Sequence, residues 1–157
     1  MAFKWDVGIE TGHAKIDNQH KQLIMALNNV TEASQTGKGE DEIFKALDFL
    51  SNYAVMHFNT EERLQVQYDY PDFAAHKSCH EAFRVMAGEL TRKLVEEGPT
   101  GEHVGAVTKT IGEWMMNHIR DEDIRMAAYV RSKNGGNGTL QEQRGGPPGL
   151  PESGLND

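Results

Sequence analysis

The chain has 157 residues, 38% of them apolar and 25% charged, with a formal net charge of −8. This is typical of one globular domain with a real core, and the acidic charge argues against nucleic acid or an anionic membrane as a partner. No apolar run approaches the roughly 20 residues that span a bilayer, and no signal-peptide pattern opens the chain. The single cysteine excludes an intrachain disulfide. We therefore expect a cytoplasmic protein without membrane insertion.

The first half of the chain predicts an arm and two helices. Residues 1–16 are read as an irregular arm, and Asp17 is a plausible N-cap for a helix over about 18–36, which glycines close. A second helix is predicted from about Asp41 to Gln67, ending before Pro71 because proline disfavours helix at the residue before it.

The second half predicts two more long helices and a short one. Asp72 can cap a third helix that reaches about Glu97, and a fourth starts near residues 100–102 and reaches His118 or Arg120. A short fifth helix over 123–131 is predicted. The fold class is therefore all-α: an antiparallel up-down-up-down four-helix bundle with an irregular N-terminal arm and a short fifth C-terminal helix.

The composition changes after Lys133. Residues 134–157 hold seven glycines and three prolines. Such a segment buries too little surface to offset its ordering entropy. We expect a domain over residues 1–131 and a flexible, disordered Gly/Pro-rich tail over 132–157, which is either passive or a docking tether.

Polar side chains interrupt the apolar stripes of all four long helices. Steps of three and four residues mark the buried face of a packed helix, and these steps include His20, His57, Glu61, His76, His80 and His118. Burying one polar group without a partner costs a few kcal/mol. Six such groups in one core indicate a shared metal centre.

The spacing and number of these groups narrow the kind of centre. His57 and Glu61, like His76 and His80, are four residues apart and so share a helical face. Imidazole and carboxylate together suit iron, zinc, copper or nickel. Five histidines with one or two carboxylates exceed what one tetrahedral zinc accepts and favour two bridged octahedral metals.

The choice of carboxylates rests on helical geometry. Glu61 belongs to the stripe, whereas Glu62 lies about 100° around the helix. After His118, a straight helix favours Glu122 as a ligand over Asp123, which would lie about 140° away. The alternative is a helix break after Ile119 or Arg120.

Four motifs together resemble the hemerythrin family in its bacterial form. The match covers residues 1 to about 131, and its motifs are Ile16-Asp17-x-Gln19-His20-Lys21-x-Leu23, His57-Phe58-x-x-Glu61-Glu62, His76-Lys77-x-x-His80 and Trp114-x-x-x-His118-Ile119-x-x-x-Asp123.

The resemblance implies a non-haem di-iron site. One iron would be held by His76, His80 and His118, and the other by His20 and His57. Glu61 and Asp123 would bridge the two irons together with an oxo or hydroxo group. The resemblance thus overrules Glu122 and predicts a helix break between His118 and Asp123. The two-histidine iron would keep an open position for dioxygen as ligand, in an apolar pocket lined by Leu23, Phe58, Trp114 and Ile119, with Met115 and Met116 as further candidates.

The function implied by this resemblance is reversible dioxygen binding for oxygen transport, storage or delivery to an oxygen-consuming enzyme, by a protein that is not itself an enzyme. The alternative is an oxygen or redox sensor, or a partner-docking protein, that uses the same di-iron site. We expect a monomer.

Overall fold

The computed structural model describes the backbone of residues 2–141 and the side chains of residues 2–135. Within them the chain is helical without strands, which confirms the all-α prediction. The helices are α1 (Ala14–Gln35), α2 (Glu40–Gln67), α3 (Phe73–Glu97), α4 (Gly101–His118) and α5 (Ile124–Gln141). A 3-10 turn, Val7–Ile9, lies in the N-terminal arm, and a π-helical turn, Ile119–Asp123, joins α4 to α5.

The four long helices pack in a ring in which α1 contacts α2 and α4, and α3 contacts α2 and α4. Short connections between sequential neighbours make the bundle antiparallel, as predicted. One large apolar cluster fills its interior, and a smaller one, which includes Ile16, Met126 and Val130, lies beneath α5. None of the described helices is both long and apolar enough to cross a membrane.

The start of α1 differs from the prediction. The helix begins at Ala14, and its N-cap is His13, whose side chain accepts from the Ile16 N–H. Asp17 is instead buried inside the first turn, where it accepts hydrogen bonds from the backbone and hydroxyl of Thr11, both at 2.8 Å. A tertiary contact with the arm therefore takes the carboxylate that the sequence assigned to capping.

The other helix ends lie close to their predicted positions. Thr100 caps α4 by accepting from the His103 N–H, whereas Asp72 precedes α3 without a side-chain capping bond. Gly98 ends α3 at φ 89°, a conformation that glycine adopts without strain.

The C-terminal helix is longer than predicted, since α5 continues past the expected end at Arg131 to Gln141. Residues 142–157, the rest of the predicted tail, lie outside the described residues, so the disorder of that segment stays a prediction.

The arm is fastened to α1 and α4 by its first residues. The Phe3 backbone N–H donates to Asn28 Oδ1 at 3.0 Å, and Asn28 Nδ2 donates back to the Phe3 carbonyl at 2.8 Å. The Phe3 ring lies directly over Gly112, where any larger side chain would overlap it.

Candidate metal centre

All seven predicted metal-site residues meet at the centre of the bundle. Each is at most 7% exposed. The apolar stripes aim the side chains inward because they share the buried face of their helices. They come from α1 (His20), α2 (His57, Glu61), α3 (His76, His80), α4 (His118) and the π-helical turn (Asp123).

Glu61 lies between two groups of histidines. Its Oε1 is 2.8 Å from His57 Nε2 and 3.5 Å from His20 Nε2. Its Oε2 faces the other way and is 3.2 Å from the Nε2 atoms of both His76 and His80. One carboxylate thus offers one oxygen to each group.

Asp123 divides its oxygens in the same way. Its Oδ2 is 2.9 Å from His20 Nε2, while its Oδ1 is 3.1 Å from His76 Nε2 and 2.9 Å from His118 Nε2. The cluster therefore consists of a two-histidine group and a three-histidine group that share both carboxylates.

The π-helical turn brings Asp123 to the centre. The Ile124 N–H donates to the Ile119 carbonyl, five residues earlier, so this turn holds one more residue than an α-helical turn. His118 and Asp123, five residues apart, consequently face the same side. The predicted helix break is wrong: the backbone stays helical, and the wider turn makes the adjustment.

Glu122, the straight-helix choice, lies away from the centre. Its Oε2 is 2.6 Å from an Arg125 nitrogen, and the carboxylate is 26% exposed. It acts as one half of a surface ion pair.

The buried carboxylates raise the pKa values of two histidines, His20 and His76. Burial lowers the pKa of His20 and His76, but hydrogen bonds and charge interactions with Asp123 and Glu61 outweigh it and raise the pKa of each to about 9. Burial raises the pKa values of Glu61 and Asp123, and the surrounding imidazoles more than reverse this, so both end below their usual range.

The donor set fits two bound metal ions. His80 Nε2, His118 Nε2, Glu61 Oε1 and Asp123 Oδ1 are buried at the centre and, among the described residues, make no hydrogen bond of acceptable geometry. Orphaned buried donors and acceptors are costly unless another partner satisfies them. Imidazole and carboxylate are the ligands that iron and its neighbours accept, and seven are too many for one tetrahedral ion.

Two residues that the sequence did not assign hold histidines from outside. His57 Nδ1–H donates to Gln19 Oε1 at 2.7 Å, and His80 Nδ1–H donates to Glu62 Oε1 at 2.9 Å. Each bond leaves Nε2 with its lone pair toward the centre, as a metal ligand requires. Periodicity within one helix offers no signal for either residue, because each contact depends on how neighbouring helices align.

A small apolar cavity adjoins the two-histidine group. Its free volume is about 10 Å³, close to the minimum that admits one water-sized molecule. Its wall contains all four predicted pocket residues, and Met115 but not Met116. The apolar lining residues are Leu23, Ala54, Phe58, Phe83, Trp114, Met115 and Ile119.

Comparison with known proteins points to one family. Residues 11–130 match the model of the hemerythrin HHE cation binding domain. The chain is 35% identical over 128 residues to a bacteriohemerythrin of Pseudomonas aeruginosa (strain LESB58), covering 81% of this chain and 80% of that one. It is 34% identical over 118 residues to the bacteriohemerythrin of Methylococcus capsulatus, covering 75% and 86%.

Solved structures give the same result. A crystal structure of wild-type hemerythrin superposes with a TM-score of 0.73 at 28% identity, covering 83% of this chain and 98% of that one.

Proposed function

Because the chain belongs to the hemerythrin family, we propose that it binds dioxygen reversibly at a di-iron centre and serves oxygen transport, storage or delivery. The observation that carries the proposal is the division of both carboxylates between unequal histidine groups. Glu61 and Asp123 each present one oxygen to the two-histidine group and one to the three-histidine group. Two irons bridged in this way would have different numbers of protein ligands.

The unequal ligand count supports dioxygen binding on one side. Since both carboxylates would be shared, the iron held by two histidines would have one protein ligand fewer than the iron held by three and more room for dioxygen. Both histidines of the smaller group, His20 and His57, line the cavity, whereas His118 is the one histidine of the larger group that does. When bound, the two irons supply the electrons that dioxygen takes up and returns.

The residues around the cavity exclude water. The side chains of Leu23, Phe58 and Ile119 are at most 4% exposed. An apolar wall keeps protons and small anions from a bound ligand, which favours its return unchanged over further reaction. Two aromatic rings of the cavity wall also hold the planes of histidine ligands in place. Phe58 stacks on His80 with ring centroids 4.0 Å apart, and Trp114 stacks on His118 with ring centroids 4.6 Å apart.

The proposal is tested by oxygen cycling on natively purified protein. We expect two irons per chain, and a visible charge-transfer band that appears when oxygen is added to the reduced protein and disappears under argon over repeated cycles. Irreversible oxidation on first contact with oxygen would contradict a carrier role.

Histidine variants test the ligand assignment separately. His57→Ala and His80→Ala should lose iron and unfold at lower temperature, because metal binding at a core site contributes to folding free energy. His103→Ala is the matched control, since His103 lies at the surface with 38% of its side chain exposed. If either core variant keeps two irons per chain, the assignment is wrong.

A further inference from the structure

The two histidines held from outside have partners of different charge. The partner of His57, in the two-histidine group, is the neutral amide of Gln19. The partner of His80, in the three-histidine group, is the carboxylate of Glu62. This difference in charge does not follow from the ligand set itself, whose two sides differ only in the number of imidazoles.

Neighbouring contacts fix the identity of the atoms that face His57. Gln19 Nε2 donates to Thr60 Oγ1 at 3.2 Å and lies 3.5 Å from Met56 Sδ. The amide nitrogen is therefore occupied, and the amide oxygen is the atom that accepts from His57. Gln19 is 7% exposed, so water does little to screen this contact.

The partner of His80 is also shielded. The Glu62 side chain is 16% exposed and lies 2.9 Å from His80 Nδ1. The stacked Phe58 ring, inclined by 13°, holds the imidazole plane in place. Among the described residues, two further outer nitrogens, His20 Nδ1 and His76 Nδ1, are buried without a hydrogen-bond partner. The Glu62–His80 bond is thus the charged contact among these outer contacts.

A carboxylate that accepts from an imidazole increases the electron donation of the opposite ring nitrogen, whereas a neutral amide does so less. Stronger donation and nearby negative charge both favour the higher oxidation state of a metal.

Resting on the proposed function, we infer that Glu62 and Gln19 make the two irons electronically unequal. Glu62 acts as a positioning residue that favours the ferric state on the three-histidine side, and Gln19 leaves the iron beside the cavity easier to reduce. In the form with one ferric and one ferrous iron, the ferric ion then lies on the His80 side. The two ways of placing the ferric ion in this form differ by the transfer of one electron from one iron to the other, so the preference for one of them consumes no outside reagent.

The test compares Glu62→Gln with Glu81→Gln. Glu62→Gln keeps an oxygen that can accept from His80 and removes the charge. Glu81→Gln removes the same charge from the residue next to His80 in sequence, but Glu81 is 55% exposed and pairs with Arg84 rather than with a ligand. The readouts are iron content, the midpoint potential of the iron pair titrated under argon with redox mediators, and the Mössbauer spectrum of the half-oxidised protein.

We expect Glu62→Gln to keep two irons and to shift the first oxidation equilibrium about tenfold toward the reduced form, which is about 59 mV for one electron. Glu81→Gln should leave the potential unchanged. Equal potentials in wild type and Glu62→Gln, or equal shifts in both variants, would overturn the inference.

If Glu62→Gln fails to hold iron, the midpoint potential of Gln19→Glu tests the inference instead. It places a carboxylate behind His57, so a fall in midpoint potential supports the inference and an unchanged potential overturns it. A wild-type protein that holds two irons without reversible oxygen binding would refute the proposed function, but the comparison of potentials would stand.

Discussion

Leu23→Ala tests whether the apolar cavity protects the proposed oxygen site. Leu23 is 2% exposed and forms part of the cavity wall. The cavity has about 10 Å³ of free volume, so removal of three carbon atoms opens space for water beside His20 and His57. The oxygenated protein should then oxidise irreversibly several times faster than wild type.

Leu27→Ala is the control for the loss of stability that Leu23→Ala causes by removing a buried side chain. Leu27 lies one turn further along α1, is 1% exposed and does not line the cavity. Leucine-to-alanine changes in cores cost about 3 kcal/mol, which lowers Tm by about 6–12 °C in a chain of this size. Leu23→Ala and Leu27→Ala should therefore lose similar stability.

The assay is thermal unfolding of the iron-loaded variants together with the first-order decay of the oxygenated absorption band. Only Leu23→Ala should show faster decay. If the oxygenated forms of both variants decay at the same rate with the same loss of Tm, loosening of the core explains the result, and the cavity does not protect the oxygen site.

Two further predictions concern the iron-free cluster and the arm. The pKa values of His20 and His76 are raised from 6.5 to about 9, so the folded state binds protons more tightly than the unfolded state. The two protonated histidines stabilise the iron-free protein fully below pH 6.5, and this contribution is lost as the pH rises through about 9. Urea unfolding at pH 6 and 9 should therefore show a lower free energy of unfolding at pH 9. A higher value at pH 9 would contradict the raised pKa values. Gly112→Ala should destabilise the protein by about 1–3 kcal/mol because the new methyl group overlaps the Phe3 ring. Gly105→Ala, with nothing within 4 Å of the added carbon, should instead stabilise α4 by up to about 1 kcal/mol, and thermal unfolding of the two variants checks both signs.

The sequence predicted the helices and the inward-facing histidines because both depend on one local regularity. His57 and Glu61 fall into the same three-and-four-residue stripe as Leu50 and Ala54, and the structure buries all four. The prediction needed only the helical period and the cost of burying polar groups.

Helical periodicity does not predict features that depend on contacts between helices or with the arm. Aspartate is a residue type that favours the N-cap, but Thr11 from the arm donates hydrogen bonds to the Asp17 carboxylate, and Asp17 lies inside α1 instead of before it. The roles of Gln19 and Glu62 depend on how α1 and α3 align against α2. Periodicity within one helix carries no information on that alignment.

The π-helical turn is the clearest such case, because it holds the centre and the cavity together. Straight-helix geometry selects Glu122, and a π-helical turn is rare compared with an α-helical one. The turn is retained by what it buries: Asp123 lies 2.9 Å from both His20 and His118, and Ile119 lies against the cavity at 1% exposure. The same turn therefore supplies the shared carboxylate and part of the apolar wall, so any change to its backbone alters metal binding and water exclusion together.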